Sequence, residues 1–311
     1  MLMWLTVVAA AMLCVGVTFF ACYLADGMTR SKRHRVQGTP ADLGLRYEEV
    51  QFLTGDRLTL RGWFLESPGA RATVVLVHDL EATRADPEHG LLHLTRDYVR
   101  RGLSVFMFDL RGHGESAGRR DSLGMNERLD VQAAVAFVRR CTGAQPVVLH
   151  GFGFGAALAV AAAARNADVA AVIADSAFLT MRQYLRMRWR HVPAPLFALA
   201  TVLARWLFHA DVDALQPVQS IAQVTAPILL IHNAGDERVP VAHALNLAAA
   251  SLDGRDEVWV LPDRGGHATA YLQEPEAYMR RVLALVEQVA PSRVLAGQPA
   301  LSARAFSTRA G

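Results

Sequence analysis

The chain is poor in cysteine, nearly without lysine, and has no charge at all in its first 25 residues. Two of its three cysteines, Cys14 and Cys22, lie in that uncharged segment, and Cys141 stands alone. No disulfide is therefore expected within a folded domain, and a disulfide-stapled scaffold is excluded. Lys32 is the single lysine against 31 arginines. No basic stripe of the kind a nucleic-acid binder presents is found in the rest of the chain, so no nucleic-acid partner is expected. A net charge of +3 over 311 residues is nearly neutral, and 52% apolar composition excludes a disordered chain.

What the sequence has instead is concentrated at its start. Met1 to Ala25 holds 22 apolar residues, interrupted only by Thr6, Gly16 and Thr18. About 20 apolar residues cross a bilayer core, so the segment reads as a transmembrane anchor. Arg30, Lys32, Arg33 and Arg35 follow directly, in a basic linker over 26–45, and without those four the chain sums to −1. No Lys or Arg precedes them, so the positive-inside rule predicts a single pass with the bulk of the chain cytoplasmic. A cleaved signal ending near Cys22 is the competing reading. It lacks a positive n-region, and its apolar run is too long for an h-region.

After the linker, strands and helices alternate. Tyr47–Thr54 and Arg57–Leu65 read as an antiparallel pair, and Ala72–His78 as a central strand buried on both faces. Further strands are expected at Leu103–Phe108, Pro146–His150, Val169–Asp175, Pro227–His232 and Glu257–Leu261. Helices are expected near Leu91–Arg101, Asn126–Arg140, Phe154–Arg165, Val241–Ser251 and Pro275–Val289. The pattern predicts an α/β domain over 46–290, a mostly parallel sheet with helices on both faces. Residues 177–215 break the alternation with Arg-rich and aromatic helical sequence, expected to form a small cap over the carboxyl edge of the sheet. The tail 291–311 is expected to be disordered.

The strongest chemical signal is VVLHGFGFGA at Val147–Ala156. A strand running through a glycine turn into a helix fits a nucleophile elbow, G-x-S-x-G. It also satisfies the dinucleotide fingerprint G-x-G-x-x-A through Gly151, Gly153 and Ala156, with Asp175 downstream, so a dinucleotide-binding oxidoreductase is a remote alternative. That fingerprint normally follows the first strand of its unit, whereas several strands precede this one. Other motifs favour the elbow: FMFDLRGHGES at Phe106–Ser116, Gly235-Asp236-Glu237-Arg238-Val239-Pro240, and Gly265-Gly266-His267. Turn, Asp and His follow the order of the hydrolase triad.

Together these residues resemble the α/β-hydrolase superfamily, and within it the serine aminopeptidase/lysophospholipase-like hydrolases, over roughly Arg46 to Val289. The resemblance implies an α/β-hydrolase fold, an ester or acyl hydrolase activity and no cofactor or metal. It implies Asp236 as the triad acid and His267 as the general base, with the Leu80 and Phe154 N–H groups as the oxyanion hole. The nucleophile position falls on Gly153, which has no oxygen to attack with. Asp79 stands where the family usually has glycine, and a carboxylate there would oppose a developing oxyanion. Gly114–Gly118 also matches G-x-S-x-G around Ser116, but no helix follows at once, so Ser116 reads as a loop serine, as does Ser176.

Weaker candidates are His89 and His93, at metal-ligand spacing without a third ligand, and Arg182, Arg186, Arg188 and Arg190, most simply a solvated helix face. The expectation is therefore a membrane-anchored α/β-hydrolase fold with an impaired serine-hydrolase site, binding a small acyl-type ligand or a protein partner. Its alternatives are a hydrolase using water activated by His267–Asp236, or an ordinary serine hydrolase with a substituted nucleophile.

Overall fold

The computed structural model describes residues 1–262 and 265–290, so the tail expected over 291–311 lies outside the described residues. Eight strands form one sheet: β1 (Glu48–Leu53), β2 (Thr59–Leu65), β3 (Thr73–Val77), β4 (Ser104–Phe108), β5 (Val147–Phe152), β6 (Val169–Asp175), β7 (Ile228–Asn233) and β8 (Glu257–Leu261). Their order is β1-β2-β4-β3-β5-β6-β7-β8. β1 pairs antiparallel with β2, and β2 antiparallel with β4, whereas β4 through β8 run parallel. The domain therefore has the α/β architecture that the alternation predicts.

Helices α1 (Leu2–Thr29), α2 (Leu91–Arg100), α3 (Glu127–Thr142) and α4 (Phe154–Ala163) are followed by α5 (Met181–Arg188) and α6 (Ala194–Phe208). The last four are α7 (Pro217–Ser220), α8 (Ala242–Ala250), α9 (Ala270–Gln273) and α10 (Pro275–Val289). The central strands β3, β4 and β5 are buried at every residue, which is why they read as unbroken apolar runs. Two apolar clusters fill the two faces of the sheet. One gathers Val75, Phe106 and Leu149 with α3 and α4, the other Leu76, Met107 and Val148 with α2 and α10. Successive residues of one strand feed opposite clusters because side chains alternate across a sheet.

Among the described residues, α1 is the one helix long and apolar enough to cross a membrane. Residues 2–20 are exposed, whereas Ala21, Leu24, Ala25, Met28 and Thr29 are buried. The helix runs four residues past the apolar segment, and it packs against α6. The basic linker is likewise docked. The Arg33 guanidinium donates to the carbonyls of Gly114, Ser116 and Gly118, and Lys32 pairs with Glu81 at 3.2 Å.

Candidate active site

The site forms at the carboxyl edge of the parallel strands, where β3, β5, β7 and β8 each end in a loop. At the end of β5 the chain turns at Gly153, with φ +51° and ψ −109°, and enters α4. That positive φ is open to glycine and strained for other residues. The turn is tight because α4 starts against β3. A Cβ added to Gly155 would lie 2.2 Å from the Val77 carbonyl oxygen. The strand–turn–helix geometry expected of an elbow is present, with glycine at its turn.

Asp79, two residues beyond β3, fills the space. Its Oδ1 accepts hydrogen bonds from Leu80 N–H at 2.7 Å and from Phe154 N–H at 2.6 Å. These are the two expected oxyanion donors, and they converge on one carboxylate oxygen. A Cβ built on Gly153 would stand 2.2 Å from that oxygen and 2.7 Å from His267 Nε2. Position 153, the two N–H donors and the imidazole are therefore in one place, and the Asp79 carboxylate fills it.

His267 Nδ1 lies 2.7 Å from Asp236 Oδ2. Asp236 Oδ1 in turn accepts from Arg238 N–H and Val239 N–H, both at 2.9 Å, which explains the turn that carries it. Asp236 and His267 are 31 residues apart and come from the loops after β7 and β8. Nε2 of His267 faces Asp79 Oδ2 at 3.4 Å. The two groups face one another as a buried ion pair. Burial opposes the imidazolium, yet Asp236 and Asp79 outweigh it and push the His267 pKa up to about 10. Burial also opposes the Asp79 carboxylate, but His267, His89 and the Phe154 N–H hold it well below the usual carboxylate range. That shift favours the protonated imidazole near neutral pH.

The loop over 79–84 is braced by the DLRGHGES segment. His113 Nε2 accepts from Glu81 N–H at 3.2 Å, and Asp109 Oδ1 accepts from Arg84 N–H at 2.8 Å. Within that segment Ser116 donates to the Asp109 carbonyl at 2.6 Å and accepts from Arg61 N–H at 2.9 Å. Ser116 is buried in a structural loop, away from the His267 imidazole. Ser176 is also buried, and its hydroxyl accepts from Ala268 N–H at 3.0 Å, steadying the His267 loop.

Sequence reasoning missed the pairing of His89 with Asp86. Nδ1 of His89 contacts the Asp86 carboxylate, its Nε2 is buried without a partner, and its ring lies 6.4 Å from that of His267. The Asp-x-x-His spacing was the available signal. His93 sits exposed on α2 beside another groove, so the two histidines do not converge; among the described residues no three His, Cys, Asp or Glu side chains are grouped to hold a metal. The dinucleotide reading meets two obstacles. The N-terminus of α4 already receives a carboxylate, and Asp175 is fully buried, hydrogen-bonded to Tyr278 at 3.2 Å.

Asp79 opens onto a cavity of about 470 Å³, lined also by Glu81, His89, Tyr184, Arg188 and Arg238. α5 of the 177–215 insertion supplies Tyr184 and Arg188, so this helix overhangs the carboxyl edge of the sheet. The four arginines over 182–190 divide. Arg182 pairs with Asp213, Arg186 caps the Trp189 and Val192 carbonyls, and Arg188 reaches Glu81 at 2.6 Å. Arg190 is solvent-exposed.

Residues 68–217 match the family model described as serine aminopeptidase, S33. The chain is 24% identical to the protein bem46 of Schizosaccharomyces pombe over 209 residues, 65% of this chain and 64% of that one. It is 23% identical to an uncharacterized membrane protein of Saccharomyces cerevisiae, YNL320W, covering 76% of this chain and 78% of that protein. Among solved structures, the esterase Pf2001 of Pyrococcus furiosus superimposes with a TM-score of 0.71 at 22% identity, over 84% of this chain and 99% of the esterase. Sheet order, the glycine turn and the solved structures agree on an α/β-hydrolase fold, and residues 68–217 are similar to the serine aminopeptidase family.

Proposed function

We propose that this protein is a membrane-anchored α/β hydrolase whose site does not work through a serine acyl-enzyme. One observation carries the reading: the Asp79 carboxylate sits on both backbone donors, where a serine hydrolase would place the oxyanion. A tetrahedral intermediate needs those donors free, and each is worth about 10²–10³ in turnover. The absent side chain at Gly153 and the protonated His267 point the same way. A protonated imidazole takes no proton from water, which weighs against the reading in which His267 and Asp236 simply activate it.

The cavity lining is charged and polar, which suits a small polar ligand better than a long acyl chain. Anchoring is supported by the exposed apolar run of α1, and a cytoplasmic domain by the basic residues that follow it. The test is labelling of the full-length protein in detergent with a fluorophosphonate probe. No serine should be labelled; adduct formation at Ser116, Ser176 or any other serine overturns the reading.

A further inference from the structure

α6 is apolar almost throughout, with Arg205 as its one charged residue. A helix of that composition is covered on all sides, by protein or by lipid. Phe197, Ala200, Thr201 and Ala204 form its buried side. The opposite side is open. Pro195, Ala198, Val202 and Trp206 fall on one stripe at helical spacing, and all four are exposed, Val202 to 52% and Trp206 to 77%. Leu207, 53% exposed, widens the stripe.

The place of the stripe in the fold decides what covers it. α6 packs against the end of α1, where the exposed apolar run of that helix gives way to buried residues. The junction is fastened on both sides of α6. Before it, the Trp189 ring lies against Gly27 of α1, 3.3 Å from a Cβ built there. At its end, the Arg120 guanidinium stacks on the Phe208 ring at 4.0 Å while donating to Asp26 Oδ1 at 2.6 Å and Thr29 Oγ1 at 3.1 Å. Basic side chains surround the stripe: Arg30 and Arg205 are 69% and 68% exposed, and Arg190 is exposed as well. The acidic neighbours, Asp26 and Asp211, are each paired with arginine. An apolar stripe, a tryptophan near its end and a basic rim suit a helix lying at the headgroup–acyl boundary. A second copy of the chain fits less well, because a two-fold contact would bring the same basic rim against itself.

We propose that the open face of α6 is a second membrane contact, seated on the anionic leaflet that α1 enters. The proposal rests on α1 being the anchor, as argued above. Val202 and Trp206 lie in lipid at a depth of about 5–10 Å, while Arg30, Arg190 and Arg205 reach phosphate groups. α5, which leads into α6, supplies Tyr184 and Arg188 to the cavity, and His34 and Arg35 of the linker line it too, so this contact sets the cavity beside the headgroups.

The test uses the full-length chain in vesicles of phosphatidylcholine and phosphatidylglycerol at high salt. Cys14, Cys22 and Cys141 are replaced by serine, and one new cysteine carries the environment-sensitive dye NBD. In Val202→Cys, lipids spin-labelled near the headgroup should quench the dye more than lipids labelled at the acyl end, and aqueous iodide should quench it little. In Ala9→Cys, within the apolar run, lipids labelled at the acyl end should quench more strongly. Quenching at position 202 by iodide and by neither lipid overturns the proposal and leaves the anchor in place. Protection at 202 from iodide and from both lipids overturns it in favour of a protein partner. A dye at position 9 that no lipid quenches removes the anchor and the α6 contact together.

Discussion

Restoring the serine oxygen tests whether its loss is the site's sole defect, and the structure predicts that it is not. In Gly153→Ser the new Cβ would stand 2.2 Å from Asp79 Oδ1 and 2.7 Å from His267 Nε2, both far inside van der Waals contact. Asp79 has to move, and it gives up two hydrogen bonds to a charged group, each worth about 1.5–3 kcal/mol. The positive φ at 153 adds strain of about 1–3 kcal/mol for a residue with a side chain. The single variant is therefore expected to melt below the parent protein and to remain without esterase activity, since a displaced Asp79 still crowds the hole. Adding Asp79→Gly removes the obstruction and frees both donors. At about 10²–10³ per donor, the double variant should exceed the single one by ~10³ or more in hydrolysis of p-nitrophenyl acetate. It should also take a fluorophosphonate at position 153. A single variant that hydrolyses the ester as fast as the double would refute the account of Asp79.

Three further outcomes are expected. By 15N NMR of histidine-labelled protein His267 should titrate near 10, and Asp79→Asn should bring that midpoint down. Because the folded value lies above the ordinary 6.5, this pair stabilises fully below pH 6.5 and loses its contribution as pH rises to about 10. A midpoint near 6.5 in the parent protein would remove the electrostatic argument. Tyr98→Phe should cost about 1–3 kcal/mol in urea unfolding, since it leaves Nδ1 of a buried imidazole unpaired. His150 also bonds Tyr278 at 2.7 Å, and burial pushes its pKa down to about 3, so protonation offers no relief. Gly155→Ala should destabilise by about 1–3 kcal/mol or more, because its Cβ would meet backbone oxygens that cannot rotate away; an unchanged melting temperature would contradict the close approach of α4 to β3.

Much of the architecture was legible before any tertiary information. β6, β8 and α10 have the bounds read from the apolar pattern, and the remaining strands and helices expected in the domain differ at their ends by one or two residues. The reason is that strands buried on both faces and helices packed on one leave local signatures of hydrophobicity. The elbow was legible too, because a turn of positive φ and a close helix approach demand glycines in sequence. α1 was less so at its end: apolar composition marked the span to Ala25, but only contact with α6 decides that the helix continues to Thr29.

The site divides the same way. Motif order and the family resemblance it carried implied Gly153, Asp236, His267, Leu80 and Phe154 as one expected constellation, and the resemblance marked Asp79 as a departure. Only the tertiary structure decided what that departure does, because the direction of a carboxylate depends on donors 1 and 75 residues away in the chain. A sequence can specify which groups reach the edge of the sheet, since each follows a strand. Which lone pair meets which proton there is set by the packing of loops from separate strands, and no local pattern records it.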